Sequence, residues 1–243
     1  MATVLVLEHT TATGVAAVAA TLDARAGALP WRTIHVPDGA PLPSLDDEVA
    51  GILAMGGTMS ATLPTVHDWM PPEIAWLERA VAADIPVFGV CLGAQLLGQA
   101  LGGRVERRPS PEVGFRALRR TTAGRDDPLL AGWPDDAPAL LVHEDEVIEL
   151  PPGAVHLLEG SDGAAAWRYG SALAVQFHPE VAADQLQRWV DAHLLDAQFE
   201  RAGTDASALL HEADRRSRFT RAQGRALLGR WLDGPVRARA AGS

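Results

Sequence analysis

Residues 85–95 read IPVFGVCLGAQ, and this stretch decides the fold. The apolar run before Cys91 predicts a strand over residues 85–90 that is buried on both faces, as in parallel sheets. The residues after Cys91 predict a helix from Leu92 to Leu101, closed by a glycine pair. Gly89 and Gly93 flank the cysteine and permit a sharp turn from strand into helix. This pattern is typical of a nucleophile elbow, which presents a reactive side chain at the end of a strand.

Strand and helix patterns alternate on both sides of this stretch. The sequence predicts further strands at 3–8, 32–36, 50–55 and 172–177, short strands between 103 and 174, and helices at 14–25, 71–83 and 182–195. A loop over 37–47 is rich in Pro, Gly and Asp. The alternation favours the α/β class, with a doubly wound, mostly parallel sheet flanked by helices.

The composition changes near Gln198 to a mixture of Ala, Arg and Asp with interspersed apolar residues. We therefore divide the chain into a main domain of residues 1–197 and a helical C-terminal extension of residues 198–243. Packing of these helices on the core is the simpler interpretation. Contact with a second chain is the alternative.

Composition excludes several classes of function. The net charge of -10 disfavours binding to nucleic acid or to an anionic membrane surface. All 21 basic residues are Arg, so a Schiff-base lysine and a P-loop lysine are both absent. A single cysteine forms no internal disulfide, and the N-terminal residues lack the basic start of a signal peptide, so we expect a cytoplasmic protein.

A second motif supplies partners for the thiol of Cys91. Residues 176–180 read QFHPE and follow an apolar strand. His178 is suited to accept the thiol proton and return it to a leaving amine, and Glu180 is suited to orient the imidazole. A lone cysteine is more often an inert buried thiol, and His or Glu alone more often has a surface or capping role. Their joint placement at strand ends favours the catalytic interpretation.

Backbone amides near the thiol complete the predicted chemistry. The N–H of Leu92, at the start of the helix, can point toward an oxyanion on the attacked carbonyl. Gly56-Gly57, at the end of another strand, offers a second N–H, although a glycine pair in a loop is usually only a turn. The other histidines show no zinc-binding spacing, so we expect no metal and no cofactor.

Taken together, four segments resemble the class I, or triad, glutamine amidotransferase family. The segments are residues 56–60 (GGTMS), 89–95 (GVCLGAQ), 143–145 (HED) and 176–180 (QFHPE), and the likeness covers roughly residues 3–195. It implies a flavodoxin-like fold and a catalytic triad of Cys91, His178 and Glu180. It also implies an oxyanion hole from Gly57 and Leu92, and a substrate site that includes Gln95, Glu144 and Asp145.

Three functions are compatible with this resemblance. In the first, the chain hydrolyses the side-chain amide of glutamine through a γ-glutamyl thioester, with the ammonia acceptor on a separate synthetase. In the second, the same triad hydrolyses γ-glutamyl peptides. In the third, the fold serves as a non-catalytic regulatory or binding subunit. Thr58 replaces a proline common in relatives, and Val142-His143-Glu144 replaces a common Ser-His-Gly, so the pocket for the glutamine backbone is expected to differ.

Overall fold

The computed structural model describes residues 1–11, 15–46 and 48–242. These residues form nine strands: β1 (Thr3–Glu8), β2 (Trp31–His35), β3 (Val49–Ala54), β4 (Val87–Val90), β5 (Arg104–Arg120), β6 (Ala137–Glu149), β7 (Val155–Glu159), β8 (Ala164–Tyr169) and β9 (Ala172–Val175). They make one sheet in the order β2-β1-β3-β4-β9-β8-β7-β5-β6. Strands β2, β1, β3, β4 and β9 run parallel to one another. The other four pair antiparallel.

Eight α-helices accompany the sheet within the described part of the chain. They are α1 (Ala16–Asp23), α2 (Met70–Ala82), α3 (Leu92–Ala100), α4 (Thr122–Asp126), α5 (Ala183–Asp191), α6 (Asp196–Ala202), α7 (Ala206–Trp231) and α8 (Arg237–Gly242). A π-helical turn, Leu232–Val236, joins α7 to α8. Gly14, predicted to start the first helix, and Asp47, predicted to end a loop, lie outside the described residues.

Alternate residues of the central strands face two separate hydrophobic cores. Val4 and Val6 of β1 pack on one side with side chains from α1 and α7. Leu5 and Leu7 pack on the other side with α2 and α3. Because side chains alternate across a strand, helices on both faces bury β3, β4 and β9 completely, whereas the edge strand β2 is partly exposed. The predicted α/β class with a doubly wound sheet is confirmed.

The antiparallel half differs from the short strands predicted between 103 and 174. β5 has 17 residues and β6 has 13, and the two pair along most of their length. Their register shifts between Arg107 and Glu112, which accommodates the segment containing Pro109 and Pro111. Proline cannot donate to a strand ladder and is tolerated at bulges, so the sequence pattern suggested a break where the strand continues.

The C-terminal helices pack directly on the main sheet. Leu227, Trp231 and Val236 are fully buried and belong to the same core as β1, β3 and β4. The predicted helix over 182–195 ends earlier, at Asp191 in α5, and the chain turns at His193, which has a positive φ of 57°, before α6 begins at Asp196. The predicted boundary after residue 197 lies inside α6. None of the helices in the described residues is long and apolar enough to span a bilayer.

Candidate active site

Cys91 lies at a sharp turn between β4 and α3. Its backbone has φ 49° and ψ -106°, and its N–H donates to the carbonyl of Val175 in β9 at 2.9 Å. α3 then starts so close to β3 that a Cβ on Gly93 would lie 2.1 Å from the carbonyl oxygen of Ala54. Only glycine fits at this position, and a non-glycine residue with positive φ is strained unless its surroundings enforce it. The structure therefore has a sharp turn from strand into helix at Cys91, as the flanking glycines predicted.

The side chains of Cys91, His178 and Glu180 meet at the carboxyl ends of β4 and β9. The thiol of Cys91 lies close enough to the imidazole of His178 to raise its pKa, and it donates to the carbonyl of Val142 at 3.8 Å. Nδ1 of His178 lies 2.8 Å from Oε1 of Glu180. All three residues are at least 95% buried, and Trp189 packs edge-on against the imidazole with ring centroids 5.3 Å apart. The structure thus brings the three predicted triad residues together, with His178 between Cys91 and Glu180.

Charge interactions determine the protonation of His178. Burial alone would lower its pKa, but the charges of Glu180 and Cys91 and the hydrogen bonds to both residues outweigh burial and raise the pKa well above its usual value. The protonated imidazole is therefore stabilised between a carboxylate and a sulfur atom. This environment favours the imidazolium form of His178, which can give a proton to a leaving group.

A pocket of about 220 Å³ opens above the thiol. Its lining residues are Gly57, Thr58, Met59, Ser60, Cys91, Gln95, Arg107, Val142, His143, Glu144, Asp145, His178, Trp189, Leu194, Leu195 and Gln198. Gly57 thus borders the same space as the thiol, while Leu92, the first residue of α3, packs its side chain into the core. No group of three or more His, Cys, Asp or Glu suited to a metal ion occurs among the residues that the structure describes.

Gln95 and Asp145 form one wall of the pocket. The side-chain amide nitrogen of Gln95 donates to the carbonyl of Asp145 at 2.6 Å and lies 3.3 Å from Oε1 of Gln176. Oδ2 of Asp145 accepts from the hydroxyl of Ser60 at 2.5 Å. Oδ1 of Asp145 is buried and has no hydrogen-bond partner among the described residues. A buried carboxylate oxygen of this kind requires a donor, which a ligand can supply.

His143 contacts the backbone of Asp145 in this wall. Its Nδ1 lies 3.0 Å from the carbonyl oxygen of Asp145, and its Nε2 lies 3.2 Å from Glu112. Burial would raise the pKa of Glu112, but hydrogen bonds from His143 and Ser161 and nearby positive charge lower it to about 2. Glu112 therefore remains ionised and holds His143 against the strand that carries the pocket residues.

Glu144 takes part in an ion-pair cluster at the pocket mouth. Its carboxylate pairs with Arg107 of β5 and, at 2.6 Å, with Arg201 of α6. Two guanidinium groups share one carboxylate, so the cluster has a surplus positive charge. Arg107 is also the cross-strand partner of Asp145 in the β5–β6 ladder, which places a positive and a negative side chain side by side.

Several residues of this region were not predicted from the sequence to belong to the site. Arg107 and Trp189 line the pocket, but their spacing from the motifs carries no recognisable signal. His9 and Glu73 form a completely buried pair beneath the glycine loop, with His9 Nε2 2.9 Å from Glu73. His9 follows β1 directly, so its position at the carboxyl end of a parallel strand was the available clue.

The pair also contacts the loop that carries Gly57. Nδ1 of His9 donates to the carbonyl of Met55 at 2.9 Å. Burial lowers the pKa of His9, but Glu73 and the backbone of Met55 and Gly56 outweigh burial and raise it. The imidazole therefore links α2 to the start of the glycine loop.

Comparisons with known proteins agree with the fold. Residues 20–197 match the family model for class-I glutamine amidotransferase, so the chain belongs to this family. It is 35% identical over 153 residues to a glutamine-hydrolysing GMP synthase of Pyrobaculum aerophilum, covering 62% of this chain and 28% of that protein. It is 31% identical over 154 residues to one subunit of the glutamine-hydrolysing GMP synthase of Halobacterium salinarum, covering 62% of this chain and 76% of that relative.

Solved structures resemble the chain over nearly its whole length. A glutamine amidotransferase from Thermotoga maritima has a TM-score of 0.83 at 25% identity and covers 96% of this chain and 99% of its own. A second, from Methylobacillus flagellatus, has a TM-score of 0.82 at 25% identity, covering 96% of this chain and 95% of its own. By contrast, the chain spans less than a third of the Pyrobaculum GMP synthase. Since 96% of the chain is matched, most of the C-terminal helical segment lies within the part that the amidotransferase structures match.

Proposed function

We propose that the protein hydrolyses the side-chain amide of glutamine to glutamate and ammonia through a thioester on Cys91. The observation that carries this proposal is the buried group of Cys91, His178 and Glu180, of which Cys91 and His178 line a pocket. A complete nucleophile, base and orienting carboxylate argue against the non-catalytic alternative.

The chemistry follows from the positions of these groups. The thiolate of Cys91 attacks the amide carbon, and the electron pair of the C=O bond moves to the oxygen. Backbone N–H groups of Leu92 and Gly57 are suited to stabilise this oxyanion. The imidazolium of His178 then gives its proton to the leaving nitrogen, so ammonia departs and a thioester forms. Water attacks the thioester while His178 takes its proton, which releases glutamate and regenerates the thiolate.

The pocket wall offers one group for each charge of an α-amino acid. The unpartnered Oδ1 of Asp145 suits an α-ammonium group. Arg107, directly across the ladder from Asp145, suits the α-carboxylate. Glu144 competes for Arg107 and thereby sets how freely that guanidinium turns toward the substrate. Gln95, whose nitrogen is already bonded to the protein, has its carbonyl oxygen left for a contact with the substrate.

A second candidate function is hydrolysis of γ-glutamyl peptides. Trp189, Leu194 and Leu195 of the α5–α6 segment add an apolar wall to the pocket. Ammonia as a leaving group makes no use of such a wall, whereas the side chain of an amino-acid leaving group would bury apolar surface there. Both candidates share the same glutamyl half of the substrate and the same triad.

Relatives suggest where the ammonia goes if glutamine is the substrate. The Halobacterium relative is named as one subunit of a glutamine-hydrolysing GMP synthase, a name that implies a further chain. We therefore include a separate ammonia-accepting synthetase in the proposal. Such a partner would bind near the pocket mouth, where ammonia leaves.

Release of glutamate from glutamine and from a panel of γ-glutamyl dipeptides tests the proposal. Wild type and Cys91→Ala are measured side by side, with ammonia determined in the glutamine reaction. Turnover of glutamine that disappears in the variant supports the glutaminase, and a higher kcat/KM for dipeptides supports the peptidase. Turnover that survives in Cys91→Ala excludes the thiol mechanism for either substrate.

A further inference from the structure

The C-terminal helix α7 lies directly behind the catalytic histidine and glutamate. A Cβ added to Gly224 would lie 1.8 Å from the carbonyl oxygen of Pro179 and 2.6 Å from its carbonyl carbon. Pro179 is the residue between His178 and Glu180. Backbone atoms cannot move aside as a flexible side chain can, so this contact exists only because residue 224 is glycine.

The same helix also lines a small cavity beside Glu180. A cavity of about 20 Å³ is lined by Pro179 and Glu180 on one side and by Arg221, Gly224 and Arg225 of α7 on the other. Oε2 of Glu180 and Nε of Arg221 are both buried and have no hydrogen-bond partner among the described residues. Among the described residues, Glu180 forms an ion pair with His178, whereas Arg221 and Arg225 line the same cavity without an ion pair to Glu180.

We propose that α7 is a positioning element of the active site, in which Gly224 fixes the Pro179 backbone and Arg221 places a positive charge across the small cavity from Glu180. α7 has this role only if Cys91 is the nucleophile activated by His178, as proposed above. Gly224 and Arg221 touch no reacting atom, so both are positioning residues. The extension is then part of the catalytic apparatus and not merely a cover for the core.

Substitutions at Gly224 and Arg221 should change the stability of the His178 imidazolium in opposite directions. A Cβ at position 224 displaces Pro179 and separates Glu180 from His178, which weakens the imidazolium and with it the thiolate of Cys91. Removing the charge of Arg221 leaves the Glu180 carboxylate more available to His178, which strengthens the imidazolium. If both substitutions only loosened the structure, they would change the reactivity of Cys91 in the same direction.

Alkylation of the single cysteine by iodoacetamide, followed across pH, measures this effect without knowledge of the substrate. We expect Gly224→Ala to lower the rate at neutral pH at least about fivefold and to move the profile toward that of an ordinary thiol, near pH 8.5. We expect Arg221→Met to raise the neutral rate about twofold, and Arg221→Lys to restore the wild-type rate. Gly229→Ala is the matched control, because its Cβ would meet only the flexible end of Arg25, at 3.0 Å.

Each outcome supports or overturns the proposal. Equal profiles for Gly224→Ala and Gly229→Ala, with both proteins folded by circular dichroism, overturn the role of α7 while leaving the triad intact. If Gly224→Ala does not fold, Arg221→Met decides alone, and an unchanged or lower neutral rate overturns the proposal. A wild-type thiol without enhanced reactivity at neutral pH contradicts the proposed function itself, and the role of α7 with it.

Discussion

Breaking the buried pair of His9 and Glu73 should destabilise the protein strongly. Both side chains are fully buried, and the imidazole stacks on Trp69 with ring centroids 5.4 Å apart. Removing one partner of a buried ion pair leaves an uncompensated charge or donor, which costs about 3–5 kcal/mol. Replacing both partners by apolar residues removes that penalty. We therefore expect Glu73→Leu and His9→Leu each to cost about 3–5 kcal/mol, and the double variant to cost clearly less than their sum.

Urea unfolding followed by tryptophan fluorescence measures these changes, since the chain has seven tryptophans. The double-mutant cycle isolates the interaction of the pair, for which we expect a coupling of roughly 2–3 kcal/mol. Single changes that each cost under about 1 kcal/mol and add in the double variant would refute the reasoning.

The same pair should make stability depend on pH. The pKa of His9 is raised in the folded protein, so the interaction contributes fully below the unfolded value, near 6.5, and is lost as pH rises through the folded value. The cost of Glu73→Gln should therefore be larger at about pH 6 than at about pH 9. A cost that stays constant or grows with pH would contradict a charged His9.

Three further substitutions test the active site. Gly93→Ala should destabilise by more than about 2 kcal/mol in thermal unfolding, because its Cβ would lie 2.1 Å from the carbonyl of Ala54, whereas Gly163→Ala meets nothing within 4 Å and should unfold like wild type. Asp145→Asn should raise KM for the preferred substrate roughly 10- to 100-fold with little change in kcat, and an unchanged KM would exclude a contact with the α-ammonium group. Glu180→Gln should lower kcat at least about tenfold and move the alkaline limb of the pH–rate profile downward, because the histidine loses the charge that raises its pKa. An unmoved limb would exclude this role.

The fold and the core of the site were predictable because their signals are local. The apolar run before Cys91 and the glycines around it specify a strand, a tight turn and a helix within about a dozen neighbouring residues. His178 and Glu180 follow another apolar strand, and parallel strands bring their carboxyl ends to one edge of the sheet. The regular alternation of strands and helices therefore predicted that Cys91, His178 and Glu180 would lie at the same edge of the sheet.

Contacts that depend on irregular structure were not predictable. Arg107 lies where the register of β5 against β6 shifts, and Trp189 contacts His178 because of how α5 packs on the site. Gly224 is one of 23 glycines, and nothing in its surroundings along the chain distinguishes it from the others. Its role follows only from the approach of α7 to Pro179, which tertiary packing determines.

Covalent trapping of Cys91 tests the central claim most directly. A glutamine analogue with an electrophilic group in place of the amide should react with the thiolate, and glutamine should protect against it. Because the chain has one cysteine, intact mass spectrometry should show a single adduct in wild type and none in Cys91→Ala. An adduct that persists in Cys91→Ala, or a wild-type protein that hydrolyses glutamine without ever forming the adduct, would contradict a cysteine nucleophile.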